Sequence, residues 1–112
     1  MPSFSRLVLA VSILTWVAMP TLAQDAITID IVIKDHKFQP AEPRAPAGKP
    51  IVLRVKNQDP TAEEFESNSL KVEKVIAGNS EALIRIRPLA PGRYTFFGEY
   101  HEDTAQGALI AE

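Results

Sequence analysis

Hydrophobic and polar positions alternate along most of the chain after residue 25. Ile27, Ile29, Ile31 and Ile33 fall at every second position, and that period places them on one face of a strand over 26–34. Asp30 and Lys34 point the other way, while Val32 predicts that the second face is partly covered. Residues 51–57 repeat the pattern, with Ile51, Leu53 and Val55 inward and Arg54 and Lys56 outward. Residues 62–70, AEEFESNSL, predict a short strand centred on Phe65. Two further strands are expected over 71–76 and 81–87, separated by Ala77-Gly78-Asn79-Ser80, and the last two over 93–97 and 108–111. The prolines at 40, 43, 46 and 50 exclude a helix after the first strand and suit an irregular edge segment. Gln58-Asp59-Pro60-Thr61 reads as a turn and Pro88 to Gly92 as a bend. About eight short strands at this spacing, with no helical period, predict an all-β fold: an antiparallel sandwich or small barrel, with Greek-key connectivity the best fit.

The N-terminus breaks the pattern. Arg6 precedes the apolar run 7–18, LVLAVSILTWVA, and Met19-Pro20-Thr21-Leu22-Ala23 then supplies a helix breaker and a small residue. This is the grammar of a signal peptide over 1–23, cleaved before Gln24. The run is too short for the roughly 20 residues that span a bilayer, so the mature chain is not expected to insert in a membrane. Residues 24–112 suffice for one domain.

The chain has 12 basic and 14 acidic residues. This mild acidity argues against nucleic acid and offers no polybasic patch for anionic lipid. There is no cysteine. Disulfides, a thiol-linked lipid anchor and thiolate ligation of a metal are thereby excluded, and stability rests on a packed core and any bound metal. Both methionines, Met1 and Met19, leave with the signal segment, so no thioether ligand remains either.

Two acidic clusters carry the candidate chemistry. The segment from Tyr94 to Gly107 holds His101 with Glu99, Glu102 and Asp103 between Gly98 and Gly107. One imidazole with three carboxylates suits a borderline-to-hard metal, but it also describes a solvated acidic loop. In Glu63-Glu64-Phe65-Glu66, an extended chain puts Glu64 and Glu66 on one face and Phe65 on the other. Paired carboxylates raise one another's pKa unless a cation lies between them. The alternative is an exposed acidic strand end beside Lys71 and Lys74. His36 is a third contributor or an ordinary turn histidine beside Lys37. No GxSxG, Walker A, HExxH or EF-hand pattern occurs, and the parts for a nucleophilic triad are absent.

The order of elements resembles the cupredoxins. Asp35, Phe38 and Pro40 follow the first strand, Pro46-Ala-Gly-Lys-Pro50 precedes the second, Val55 and Asn57 end it, and Glu64-Phe65-Glu66 and Pro91-Gly92-x-Tyr94-x-Phe96 follow. The resemblance implies a Greek-key β-sandwich. In blue-copper members the closing loop reads Tyr-x-Phe-x-Cys-x-x-His-x-x-Met. Here Gly98 stands at the cysteine, His101 at the histidine and Thr104 at the methionine, while Glu63 takes the place of the other usual histidine.

Among subfamilies the chain is similar to EfeO-type cupredoxin-like domains and to FtrB-like periplasmic cupredoxins of ferrous iron uptake. EfeO-type domains carry cysteines at about Phe38 and Gly98 that this chain lacks. The resemblance implies a periplasmic protein binding copper and/or iron at a non-blue site, which assists Fe(II) oxidation or delivers Fe(III) to an inner-membrane iron permease, with periplasmic iron-uptake partners. The metal ligands would come from Glu63, Glu64, Glu66, Glu99, His101, Glu102 and Asp103, brought together at one pole, with Glu66 and His101 foremost. A copper-buffering protein and a metal-free adapter domain are the alternatives.

Overall fold

The computed structural model describes Ser3, residues 10–16 and residues 25–112. The signal segment expected over 1–23 lies, apart from Ser3 and 10–16, outside them. No helix of the described residues is long and apolar enough to cross a membrane.

Nine strands follow one another: β1 (Ile27–Lys34), β2 (Lys37–Gln39), β3 (Arg44–Ala45), β4 (Ile51–Asn57), β5 (Glu63–Ser67), β6 (Val72–Ile76), β7 (Ser80–Ile86), β8 (Gly92–Gly98) and β9 (Gln106–Ala111). A 3-10 turn over Glu99–His101 separates the last two. The expected all-β sandwich is what forms. One sheet has the order β2-β1-β4-β7 and the other β3-β9-β8-β5-β6, so the chain repeatedly crosses between layers in Greek-key fashion.

Two details depart from the sequence reading. The sheets are mixed rather than antiparallel, because β1 runs parallel to β4 and β3 parallel to β9. The proline-rich segment contributes the two-residue β3, since Arg44 and Ala45 lie between prolines and can still pair along one edge.

Period-two burial follows the alternation closely in β4, where Ile51, Leu53, Val55 and finally Asn57 are buried. In β1 only Ile31 and Ile33 are fully enclosed, while Ile27 and Ile29 are partly covered. Between the sheets Phe65 and Phe96 stack at 4.8 Å, and Phe38 meets both edge-on at 5.8 and 5.0 Å. These aromatic contacts anchor β2, β5 and β8 beneath the end of the sandwich where the acidic segments lie.

Candidate metal centre

The site begins with a buried amide. Asn57 ends β4 facing the core, and its Nδ2 donates to the carbonyls of Thr61 (2.9 Å), Ile76 (3.2 Å) and Ala77 (3.3 Å). Its Oδ1 accepts from the Asp59 amide at 3.1 Å. The Asp59 carboxylate, so placed, accepts from the backbone amides of Asp35 (2.8 Å) and His36 (3.0 Å). Those two residues form the β1–β2 turn with φ of 52° and 57°, a left-handed pair that the two hydrogen bonds hold in place. Burial pushes the Asp59 carboxyl up, but the His36 and Asp35 amides outweigh it and hold the group below the usual range. Asp59 Oδ2 also lies 3.5 Å from His36 Nδ1.

Along β5, Glu63, Phe65 and Ser67 face the core, and Glu64 and Glu66 leave on the other face. Glu63 is only 1% exposed. Its Oε1 accepts from the amides of Glu64 (3.0 Å) and Tyr100 (2.9 Å), and its Oε2 lies 2.6 Å from His101 Nδ1. An ionised carboxylate can only accept, so this contact places the hydrogen of His101 on Nδ1 and leaves Nε2 for a ligand. The loop carrying His101 is pinned by Gly98 N donating to Ala105 O and Ala105 N to His101 O, both at 2.8 Å. The His101 ring stacks on His36 with centroids 3.6 Å apart and planes 11° from parallel. His36, Glu63 and His101 each offer a ligand atom within 4.8 Å of the others.

The family resemblance raises the question of copper, and the residues present do not fit a blue-copper centre. That centre needs one thiolate and two imidazoles. A Cβ built at Gly98 would lie 2.6 Å from Glu63 Cδ, 2.8 Å from Glu63 Oε1 and 2.7 Å from Ala105 Cβ. The Glu63 carboxyl therefore fills the space into which a cysteine side chain would extend. What remains is a set of imidazole and carboxylate donors, suited to Cu(II), iron or zinc. The two ring planes are close to parallel with centroids 3.6 Å apart, so as placed the two imidazoles would not both aim an in-plane lone pair at one ion. Joint ligation requires one ring to turn, and His36, whose side chain is 43% exposed, has the room.

A second group lies on the outer face of the same sheet. Antiparallel register sets Glu66 of β5 opposite Glu73 of β6. Glu64 and Glu99 join them, and one carboxylate oxygen from each of the four lies within 4.8 Å of the others. The Glu73 carboxylate beside it, together with burial and Glu99, pushes the Glu64 carboxyl up to about 7; Glu99 chiefly raises Glu66 as well. Without bound cation, folded Glu64 keeps a proton between about pH 4.5 and 7 that the unfolded chain has released, so its contribution destabilises the fold as pH rises through that window. Below it both states are protonated and the contribution vanishes. The stability gained by Glu64→Gln over wild type, measured by urea unfolding in chelator, is expected to grow from pH 4.5 to 7 and level off above. A gain independent of pH would contradict this.

The seven residues expected to converge at one pole thus fall into three groups. The buried Glu63 meets the partly exposed His101 at the sandwich end, whereas Glu64, Glu66 and Glu99 gather on the outer face. Glu102 and Asp103 supply no oxygen to either cluster, but they border a surface hollow with His36 and His101 as well as a cleft of about 590 Å³ with Glu42 and Arg93. Strand alternation is the reason, since consecutive residues of β5 must leave on opposite faces. His36 enters through its stack on His101. Asp59, read only as a turn residue, proves to hold the His36 turn, and Glu73 completes the outer cluster. Its signal in the sequence was an antiparallel β5–β6 hairpin, whose register cannot be read without the turn conformation.

Comparison with known proteins agrees with this architecture. The family described as Cupredoxin-like domain matches residues 7–111. An uncharacterized protein of Rickettsia prowazekii (strain Madrid E) is 45% identical over 82 residues, covering 73% of this chain and 66% of that relative's length. Auracyanin A, a blue copper protein from Chloroflexus aurantiacus, superposes with a TM-score of 0.67 at 18% identity, over 79% of this chain and all of that one. The metal-binding domain of the Cu(I)-exporting P-type ATPase CopA of Streptococcus pneumoniae D39, with Cu(I), superposes at 0.67 with 20% identity, over 76% of this chain and 84% of that one. At such identities these two likenesses concern the fold. By the family match, the chain belongs to the cupredoxin-like domain family.

Proposed function

We propose that this protein is a periplasmic metal-binding cupredoxin that uses His101, oriented by Glu63 and flanked by His36, to hold copper or iron in the service of ferrous iron uptake. The observation that carries the reading is the 2.6 Å contact between the buried Glu63 carboxylate and His101 Nδ1. It is the arrangement by which a carboxylate fixes the tautomer and ring direction of a metal-ligating histidine. With no sulfur donor at this pole, and with the Glu102 and Asp103 carboxylates bordering the same hollow as His36 and His101, the site favours Cu(II) and Fe(III) over Cu(I), which prefers sulfur. A centre of this kind supports oxidation of Fe(II), or carriage of Fe(III) to a permease. The iron pathway and the permease partner rest on the similarity to EfeO-type and FtrB-like domains, and export rests on the signal-like segment over 1–23.

Calorimetric titration of the purified chain with Cu(II), Fe(II) and Fe(III) tests the proposal. At least one ion is expected to bind at micromolar concentration, without intense blue absorption. His101→Ala is expected to weaken binding by about 100-fold and Glu63→Gln by about 10-fold. No micromolar binding of any of the three ions would overturn it. Tight Cu(II) binding without acceleration of aerobic Fe(II) oxidation would favour copper buffering.

A further inference from the structure

The carboxylates on the outer face form a group that the histidine pole does not use. Exposed acidic side chains often cluster without consequence, but Glu64 is not exposed: it is 7% accessible, and its Oε1 is buried with no hydrogen-bond partner. Its neighbours in the cluster are the carboxylates of Glu66, Glu73 and Glu99, each with an oxygen inside the same 4.8 Å limit. Below about pH 7 a proton held by Glu64 can pair it with a neighbouring carboxylate, but once all four are ionised they only accept hydrogen bonds and none can satisfy the buried oxygen. Among the described residues, no ion pair joins any of the four to a lysine, arginine or histidine. A buried acceptor without a donor costs free energy, and like charges opposed across a strand pair add to that cost. A cation bound between them offsets the repulsion and gives the Glu64 carboxylate the positive partner it otherwise lacks.

The spacing fits such an ion. Two oxygens bonded to one cation at about 2.4 Å lie at most about 4.8 Å apart, and all four carboxylates offer an oxygen inside that separation. All donors are carboxylate oxygens, which select hard cations and reject Cu(I). Glu63 and Glu64 are consecutive on β5, so the histidine pole and this cluster project from opposite faces of one sheet.

We propose that Glu64, Glu66, Glu73 and Glu99 form a second, all-oxygen site for a hard divalent or trivalent cation, separate from the His36–Glu63–His101 group. The inference does not depend on a metal at the histidines.

The full-length chain, freed of metal by chelator, is titrated with Mn(II) followed by electron paramagnetic resonance and with Tb(III) followed by calorimetry. At least one of these ions is expected to bind at micromolar concentration. Glu64→Gln and Glu73→Gln are each expected to weaken that binding by at least about 10-fold, while His101→Ala leaves it within about twofold. In the absence of metal the two glutamine variants should melt no lower than wild type, because they relieve repulsion, and both should lose most of the rise in Tm that the ion confers on wild type. Binding of neither ion below about millimolar, affinity unchanged in both glutamine variants, or loss of binding in His101→Ala would overturn the proposal. The last outcome would place the ion at the histidines instead.

Discussion

Gly98→Ala is expected to destabilise the protein by about 2 to 3 kcal/mol, the upper part of the usual range for overpacking a buried position. In a domain of this size that corresponds to a melting temperature lower by about 10 °C or more. The added methyl would meet the Glu63 carboxyl at 2.6 and 2.8 Å and the Ala105 methyl at 2.7 Å, all closer than van der Waals contact allows. Neither neighbour can easily give way. Ala105 is fully buried, and Glu63 is tied by two backbone amides and His101. In a Glu63→Ala background two of the three collisions disappear, so the same methyl should cost less, with a coupling of at least about 1 kcal/mol in the double-mutant cycle. Equal costs in both backgrounds would show that Glu63 does not occupy this space. The consequence reaches function: a cysteine at position 98 brings the same Cβ, so Gly98→Cys alone should not create a blue-copper centre.

Asn57→Ala is expected to cost about 3 kcal/mol and to loosen the site as well as the fold. Asn57 is 2% exposed, and its amide joins the end of β4 to the loop after it and to the end of β6. Alanine would leave the carbonyls of Thr61, Ile76 and Ala77 and the amide of Asp59 without this partner, and buried groups so abandoned cost about 1–3 kcal/mol each where water cannot enter. Because Asp59 in turn holds the His36 turn, the variant should also show disturbed imidazole signals for His36 and His101 in NMR spectra. Asn57→Asp keeps an acceptor for the Asp59 amide but turns a carboxylate oxygen toward three carbonyl oxygens in a buried position, so it should cost at least as much as alanine. A loss below about 1 kcal/mol for alanine, with both histidine signals unchanged, would refute the role assigned to this residue.

Much of the fold was legible because alternation is a local property. Ile51, Leu53 and Val55 must share a face whenever the backbone is extended, and all three are buried. The turn at 77–80 was equally legible, though for an incomplete reason. Asn79 adopts the left-handed φ of 52°, whereas Gly78 is needed because a Cβ there would lie 2.1 Å from the Pro60 carbonyl oxygen, an approach made by a distant loop. The parallel pairing of β1 with β4, and the short β3, depend on which edges meet after collapse, which the period of side chains does not encode.

The site divides along the same line. By itself the sequence determined an all-β domain, the absence of thiolate and thioether ligands, and the supply of carboxylates and imidazoles near two strand ends, because composition and short-range periodicity state these outright; the sandwich came from the family resemblance. It also placed Glu64 and Glu66 together on one face, although all seven candidate residues were expected to meet. Only the tertiary structure decided the groupings: Glu63 enclosed with His101 and His36, Glu64 and Glu66 set beside Glu73 and Glu99, and the space next to Gly98 filled by a carboxyl group. Those outcomes depend on strand register and on how two sheets pack, and both are settled by contacts between residues far apart in the chain.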